Sequence, residues 1–360
     1  MDGENKLRVA VIGAGRLGAF HAQKLAARKD VELLAVVDPV AENRARTAAA
    51  CNTVALPDFH SLLGRLEAAI LATPATTHYA LAAELLQCGV HLLVEKPLCT
   101  NRWDAAQLVA LARRRGLVLQ VGHVERFNPA FQAAAAEIPR PLLIEARRAG
   151  GFTFRAADVG VVLDLMIHDI DLVLSLFGSL PERIAATGLS LISQHEDVAD
   201  VRLEFEDGAA AVLSAARVVS EPERRLRLWS AAGFAEVDLA ARKTRFVHLS
   251  EPLWSRRLRL EDFAPEQPEA QRLALLAEHM PSKETEFAAV DALALEQDDF
   301  IAAVRTGKRP RVDGTDGERA VAVAEEILRC IHAERMQRKI IPLRPQEAAA
   351  VASSQMEIAG

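Results

Sequence analysis

The run "DLMIHDIDLVLSLF", from Asp164 to Phe177, sets four ionisable side chains among Leu, Met, Ile, Val and Phe. Such groups are costly in apolar surroundings unless paired or used. At about 100° per residue, a helix would align Asp164, His168, Asp171 and Ser175 on one narrow stripe. Only Asp169 interrupts the apolar remainder of the circumference. A helix that is apolar nearly all round is buried, so the stripe should face a cavity, a ligand or its own partners. An imidazole with a carboxylate four residues before it and another three after can have its tautomer fixed and its proton affinity raised. It is then suited to moving a proton near neutral pH. A His–Asp bridge on a solvated face is the plainer alternative, and the heavy apolar surround counts against it.

A second group is the glycine loop of "VAVIGAGRLGAFHAQKLAA", with Gly13, Gly15 and Gly18 in GxGxxG spacing around Arg16 and Leu17. The pattern alone is weak, but here it follows a β-rich run and opens a helical one. Asp38 ends the next β run about 20 residues later, as the dinucleotide fingerprint requires. Gly13 would permit the turn, Gly15 the approach of a pyrophosphate, and Gly18 close packing of helix on strand. The helix N-terminus would then meet the phosphates. Asp38 would accept from the ribose hydroxyls and repel a 2′-phosphate, and Pro39 rather than Arg follows it, so NAD is expected rather than NADP. The competing reading is a glycine turn with no ligand.

The third group is Glu95, Lys96 and Pro97 in "VHLLVEKPLCTN". Ligands of open α/β sheets sit beyond the carboxyl ends of the strands, so Lys96 would point toward the nicotinamide side of the crevice. A surface ion pair between Glu95 and Lys96 accounts for these residues equally well.

The elements that must hold these groups fall into two textures. Up to about residue 124, apolar runs ("LRVAVIG", "VELLAVVD", "AAILATP", "VHLLVEKP", "LVLQVGH") alternate with helical stretches. That argues for a parallel sheet covered on both faces. From about residue 125, short strand-like runs follow one another, from "PLLIEARRA" to "TRFVHLS", and predict a mostly antiparallel sheet. Helices resume at "EFAAVDALALEQDDFIAAVRTGK" and "GERAVAVAEEILRCIHAERMQ". The expected organisation is 1–124, 125–344 and a tail at 345–360 without a core face.

Composition narrows the partners. The 360 residues are half apolar and carry a formal net charge of −6, which gives no reason to expect nucleic acid or an anionic membrane. There is no signal-peptide pattern and no run near the ~20 apolar residues of a membrane span. Cys51, Cys88, Cys99 and Cys330 fit no metal or CxxC spacing and read as thiols of a reducing cytoplasm. No metal is expected.

Taken together, "VIGAGRLG", "ATPATTH", "EKP", the Asp-x-x-x-His of "DLMIHDIDL" and "FIAAVRTGKRPRVDGTDGERAV" resemble the glucose–fructose oxidoreductase/inositol dehydrogenase (Gfo/Idh/MocA) family. The resemblance runs from about Lys6 to Leu343. It implies an α/β protein with an N-terminal Rossmann domain and a C-terminal α/β domain whose large open sheet supports dimers or tetramers. It also implies that Lys96 is the active-site lysine and that Asp164 and His168 are the catalytic carboxylate and imidazole. Thr73, Pro74 and His78 would line the cofactor together with the glycine loop, Asp38 and Glu95.

A finer resemblance, through "VGHVERFNPAF" with "DLMIHDIDLVL", is to the 3-dehydrogenases of UDP-N-acetylglucosamine and of its uronate. It implies oxidation of a sugar 3-hydroxyl ahead of an aminotransferase that makes a 2,3-diamino sugar for lipid A. Arg126 and Asn128 would reach the substrate, although Asn-Pro is also a turn signal. Arg147, Arg148, Arg155 and Arg224 are among the arginines available for a diphosphate. His168 is expected to be the base, with Lys96 stabilising charge on the oxygen and Asp164 orienting His168. Lys96 as the base is the alternative. Two other functions remain open: an inositol or polyol dehydrogenase, and a redox sensor that binds NAD without turnover.

Overall fold

The computed structural model describes residues 6–153, 159–259 and 268–337. Arg155 and the 345–360 tail lie outside the described residues. The first sheet contains β1 (Leu7–Ile12), β2 (Val31–Val37), β3 (Val54–Leu56), β4 (Ala68–Leu71), β5 (His91–Glu95) and β6 (Leu119–Gly122). All six are parallel, in the order β3-β2-β1-β4-β5-β6. The helices between them are α1 (Arg16–Ala26), α2 (Ala41–Cys51), α3 (His78–Gln87) and α4 (Arg102–Arg115). The unbroken apolar runs form these strands because helices cover both faces: every residue of β4 is buried, and a fully buried Leu or Ile contributes about 1.5–3 kcal/mol. The chain builds outward from β1 to β3, then crosses back to β4 on the other side of β1. That reversal opens a crevice at the carboxyl ends of β1 and β4.

The second half begins with α5 (Pro129–Glu137), β7 (Leu143–Ala149) and α6 (Ile167–Phe177). Then come β8 (Arg183–Leu189), β9 (Val198–Glu204), β10 (Ala210–Ala216), β11 (Glu223–Ser230), β12 (Gly233–Asp238) and β13 (Lys243–His248). After α7 (Glu251–Trp254) and α8 (Glu269–Glu278), β14 (Ser282–Glu286) completes an eight-stranded sheet in the order β14-β13-β12-β11-β7-β10-β9-β8. Among the described residues only the β7–β10 pairing of this sheet is parallel.

The two last helices are α9 (Ala292–Thr306) and α10 (Gly314–Gln337). The helix expected from Glu286 starts only at Ala292, where the Asp291 side chain accepts from Ala294 N at 3.0 Å and caps it. The preceding residues, "SKETE", have no apolar alternation and become a strand through pairing with β13.

Both helices return to the first sheet. Phe300 and Ile301 of α9 share a core with Leu7, Val9, Val11 and Leu25. Helix α10 packs against α4, α6 and β8, and against β6 so closely that a Cβ on Gly317 would stand 2.5 Å from Val121 Cγ2. No helix among the described residues is long and apolar enough to cross a membrane.

Candidate active site

The three loop glycines have separate causes. Gly13 has φ +96°, and a Cβ there would stand 2.3 Å from the Ala72 carbonyl oxygen. A Cβ on Gly18 would stand 1.8 Å from Gly13 O, whereas one on Gly15 would meet nothing within 4 Å. The first and third are required by the fold, and the second borders open space.

Helix α1 starts at that space with no side-chain cap and no acidic residue in its first turn. Its N-terminal amides and dipole therefore favour an anion. Arg16 and Leu17 are exposed there, with the Arg16 guanidinium 5.7 Å from the Phe20 ring centroid. Asp38 is buried at the end of β2, where its carboxylate accepts from Ala14 N at 2.7 Å and Val40 N at 2.8 Å. Half-buried Thr73 and exposed Pro74 follow β4 beside Gly13. The open cradle at Gly15 and the bare helix start fit the diphosphate of a dinucleotide.

Lys96 leaves the end of β5, and its Nζ donates to Asp164 O at 2.6 Å and to Asp164 Oδ1 at 3.1 Å. Asp164 sits in a π-helical turn, Val162–Met166, that runs into α6. Such turns depart from the α-helical hydrogen-bond ladder and recur at functional sites; here the Asp164 carbonyl meets Lys96. The turn also overturns the expected stripe, because 3.6-residue periodicity does not extend back from His168 to Asp164.

The expectation that a carboxylate raises the proton affinity of His168 is corrected too. The Asp164 carboxylate is on Lys96, and that of Asp171 is held by Arg126 in two bonds of 2.7 and 3.0 Å. His168 Nδ1 is buried with no partner among the described residues. Burial, then the charges of Lys96 and Arg148, hold the imidazole well below its usual range. His168 is thus neutral at pH 7 and able to accept a proton. Ser175, the last residue of the stripe, donates to Leu172 O at 2.6 Å.

Other expected residues are committed to protein contacts. His78 is buried and lies between Pro97 O at 2.8 Å and Thr73 O at 2.9 Å, bracing the two turns. Glu95 is buried, accepting from His21 Nε2 at 2.8 Å and Lys96 N at 3.2 Å. Asn128 caps α5, accepting from Ala130 N at 3.1 Å and donating to Glu125 and Leu239 O, as its turn reading expects. Arg126 is held against Asp171.

Asp169, the interruption in the apolar face, is buried in an ion pair with Arg148, which also donates to Glu125 at 2.8 Å. Burial alone would lower the Arg148 pKa; Asp169 and Glu125 reverse that and keep it charged. Arg148 is therefore not available to a diphosphate. Arg147, next along β7, points to the opposite face and pairs with Glu223 at 2.8 Å. Arg224 stands opposite Arg148 in the β7–β11 register, and its side chain is 57% exposed.

Sequence reasoning missed His123, at the end of β6. It is buried, both ring nitrogens lack partners among the described residues, and its ring stands edge-on to His168 with centroids 6.3 Å apart. Burial lowers its pKa as well. The only signal was its place after a strand, at the carboxyl edge where ligands gather.

The model for the oxidoreductase family with an NAD-binding Rossmann fold matches residues 7–123, and that for the GFO/IDH/MocA C-terminal domain matches residues 131–236. The chain belongs to the GFO/IDH/MocA oxidoreductase family. It is 35% identical to UDP-N-acetylglucosamine 3-dehydrogenase of Acidithiobacillus ferrooxidans, over 89% of this chain and 96% of that protein. A solved structure of that enzyme superposes with a TM-score of 0.79 at 34% identity, covering 91% of this chain and 98% of the other. Myo-inositol 2-dehydrogenase of Thermotoga maritima is 26% identical over 88% of this chain and 93% of that protein. The protein is thus an oxidoreductase whose first sheet forms an NAD-binding Rossmann domain.

Proposed function

We propose that this GFO/IDH/MocA enzyme oxidises the 3-hydroxyl of a UDP-amino sugar, UDP-N-acetylglucosamine, to the 3-ketone. The observation that carries the alcohol chemistry is Lys96 held on Asp164 beside neutral His168, at the same strand ends as the Gly15 cradle. The sugar assignment is supported by likeness to the 3-dehydrogenase over nearly the full length of both chains.

NAD, when bound, supplies the hydride acceptor. The glycine loop would hold its diphosphate and Asp38 its adenosine ribose. His168 takes the hydroxyl proton, Lys96 stabilises negative charge developing on that oxygen, and Asp164 orients Lys96. Of the arginines on β7 and β11 we favour Arg224 for the substrate diphosphate, because its side chain is 57% exposed and only a 3.9 Å contact to Glu125 engages it among the described residues, whereas Arg148 is buried in its ion pairs. A 3-keto sugar is the substrate an aminotransferase requires, which fits a place ahead of 2,3-diamino sugars of lipid A. The large sheet would support a dimer or tetramer in the cytoplasm.

Thermal unfolding with NADH and then UDP, UDP-N-acetylglucosamine, its uronate or myo-inositol tests the reading, because a ligand of the folded state raises Tm by mass action. A shift with UDP, enlarged by the amino sugar and followed by turnover, is expected. A shift with myo-inositol and none with UDP compounds would overturn the sugar assignment. No turnover on any of them would favour an NAD-binding sensor.

Arg224→Ala should raise KM for the UDP-sugar at least tenfold, about 1.4 kcal/mol, with kcat and NADH affinity little changed. Loss of kcat alone would remove Arg224 from the diphosphate. The acid limb of kcat/KM should lie below the ordinary histidine value of 6.5, because the free-enzyme His168 is shifted down. His168→Ala should abolish that limb along with most turnover. A limb that persists in the variant assigns the base elsewhere.

A further inference from the structure

A buried polar cluster joins three separate elements behind the active site. His21 of α1, Glu95 of β5 and Glu296 of α9 are all buried, and a ligand atom of each lies within 4.8 Å of the others. Gln120 of β6 donates to Glu296 O at 2.9 Å, and Gln297 of α9 lies against His21. Glu296 and Gln120 are 0% exposed.

The cluster is short of hydrogen, not of acceptors. Glu296 Oε1 and Oε2, Gln120 Oε1 and Gln297 Oε1 are all buried acceptors without a partner among the described residues. Every group bearing on the Glu296 carboxyl repels a charge there: burial first, then Glu95, then Asp299 on its own helix. Those surroundings drive its proton affinity well up.

Glu95, by contrast, already accepts from His21 and from the Lys96 amide. It is the member of the pair built to carry the negative charge. The histidine tautomer separates a proton from a metal ion. Gln297 Nε2 donates to His21 O at 3.2 Å and to His21 Nδ1 at 2.9 Å. Nδ1 is therefore an acceptor, and Nε2 carries the hydrogen given to Glu95. A nitrogen that ligates a metal must be bare.

We propose that Glu296 is a proton-carrying positioning residue: as a neutral carboxylic acid beside Glu95, it lets α9 close on the strand that presents Lys96. The consequence for turnover rests on the active-site role given to Lys96; the proton itself does not. Ionising Glu296 would place two carboxylates together in a buried site and displace Glu95, whose second oxygen holds the Lys96 amide.

Glu296→Gln keeps the shape and the hydrogen at every pH. An acid whose folded pKa is raised contributes stability below its unfolded value, near 4.5, that is lost as pH rises toward the folded pKa. The wild-type Tm should therefore fall relative to that of E296Q as pH rises above that value. Infrared spectra at neutral pH should show a deuterium-sensitive carboxylic-acid C=O band that E296Q lacks. At alkaline pH, wild-type kcat should decline with KM steady, E296Q should resist the decline, and Glu296→Ala should lose about tenfold in kcat at all pH values.

A missing acid band, or Tm values that follow pH identically in wild type and E296Q, would overturn the proposal. One equivalent of divalent metal in the wild type and none in E296Q would replace the proton with a metal site. Identical alkaline decline of kcat in both proteins, with the spectral and Tm results as expected, would refute the positioning role. Even a Glu296→Ala variant that fails to fold leaves the E296Q comparison intact.

Discussion

Lys96→Met should lower kcat by about 10²–10³ and leave NADH affinity within about twofold. That is the range for removing one donor that meets charge developing in a transition state. Methionine keeps the length and apolar stem of lysine and removes only the ammonium. The ammonium meets Asp164 twice, through its carbonyl and its carboxylate, whereas the proposed diphosphate cradle is the glycine loop. Binding and turnover should therefore separate. Single-turnover reduction of NAD, followed by absorbance, together with NADH fluorescence titration, measures both. An equal loss in both readouts would make Lys96 a binding residue and leave the chemistry to His168.

Gly15→Ala and Gly18→Ala should fail in opposite ways. At Gly15 an added Cβ meets no protein atom within 4 Å, so Tm of the cofactor-free protein should stay put or rise slightly, as alanine favours a helix start less than glycine but restricts the unfolded chain. The methyl group would stand where the diphosphate is expected, and NAD affinity should fall by about thirtyfold or more, about 2 kcal/mol. At Gly18 the Cβ would stand 1.8 Å from a backbone oxygen. Helix α1 must then lift from the glycine loop, at a cost of about 2 kcal/mol or more. Chemical denaturation and NADH titration of both variants separate the effects. If Gly15→Ala bound NADH as the wild type does, the assignment of the diphosphate to this loop would be wrong.

What the sequence made legible was local. The glycine turn, Asp38 at the end of its strand and Lys96 after the next buried strand all follow from contiguous residues and the ordering of strands. The arginines were not legible, because their partners are set by folding: Arg126 with Asp171 across 45 positions, and Arg148 with both Asp169 and Glu125. A pattern of apolar residues marks Asp169 as buried but cannot say which cation answers it. The stripe through Asp164 failed for another reason. Periodicity assumes a uniform helix, and one π-helical turn breaks the phase. Glu296 sat unnoticed within an ordinary amphipathic helix because only the tertiary packing of α9 takes it away from water.

That packing also orders events in time. Phe300 and Ile301 complete the core that includes Leu7 and Val9, so the strands around β1 wait for a segment synthesised long after them. Until α9 emerges, the nascent first sheet displays an unfilled apolar patch, the kind of surface that chaperones bind and that aggregation exploits. A fragment ending at residue 124 would carry every dinucleotide fingerprint residue and still lack the side chains that close its own core.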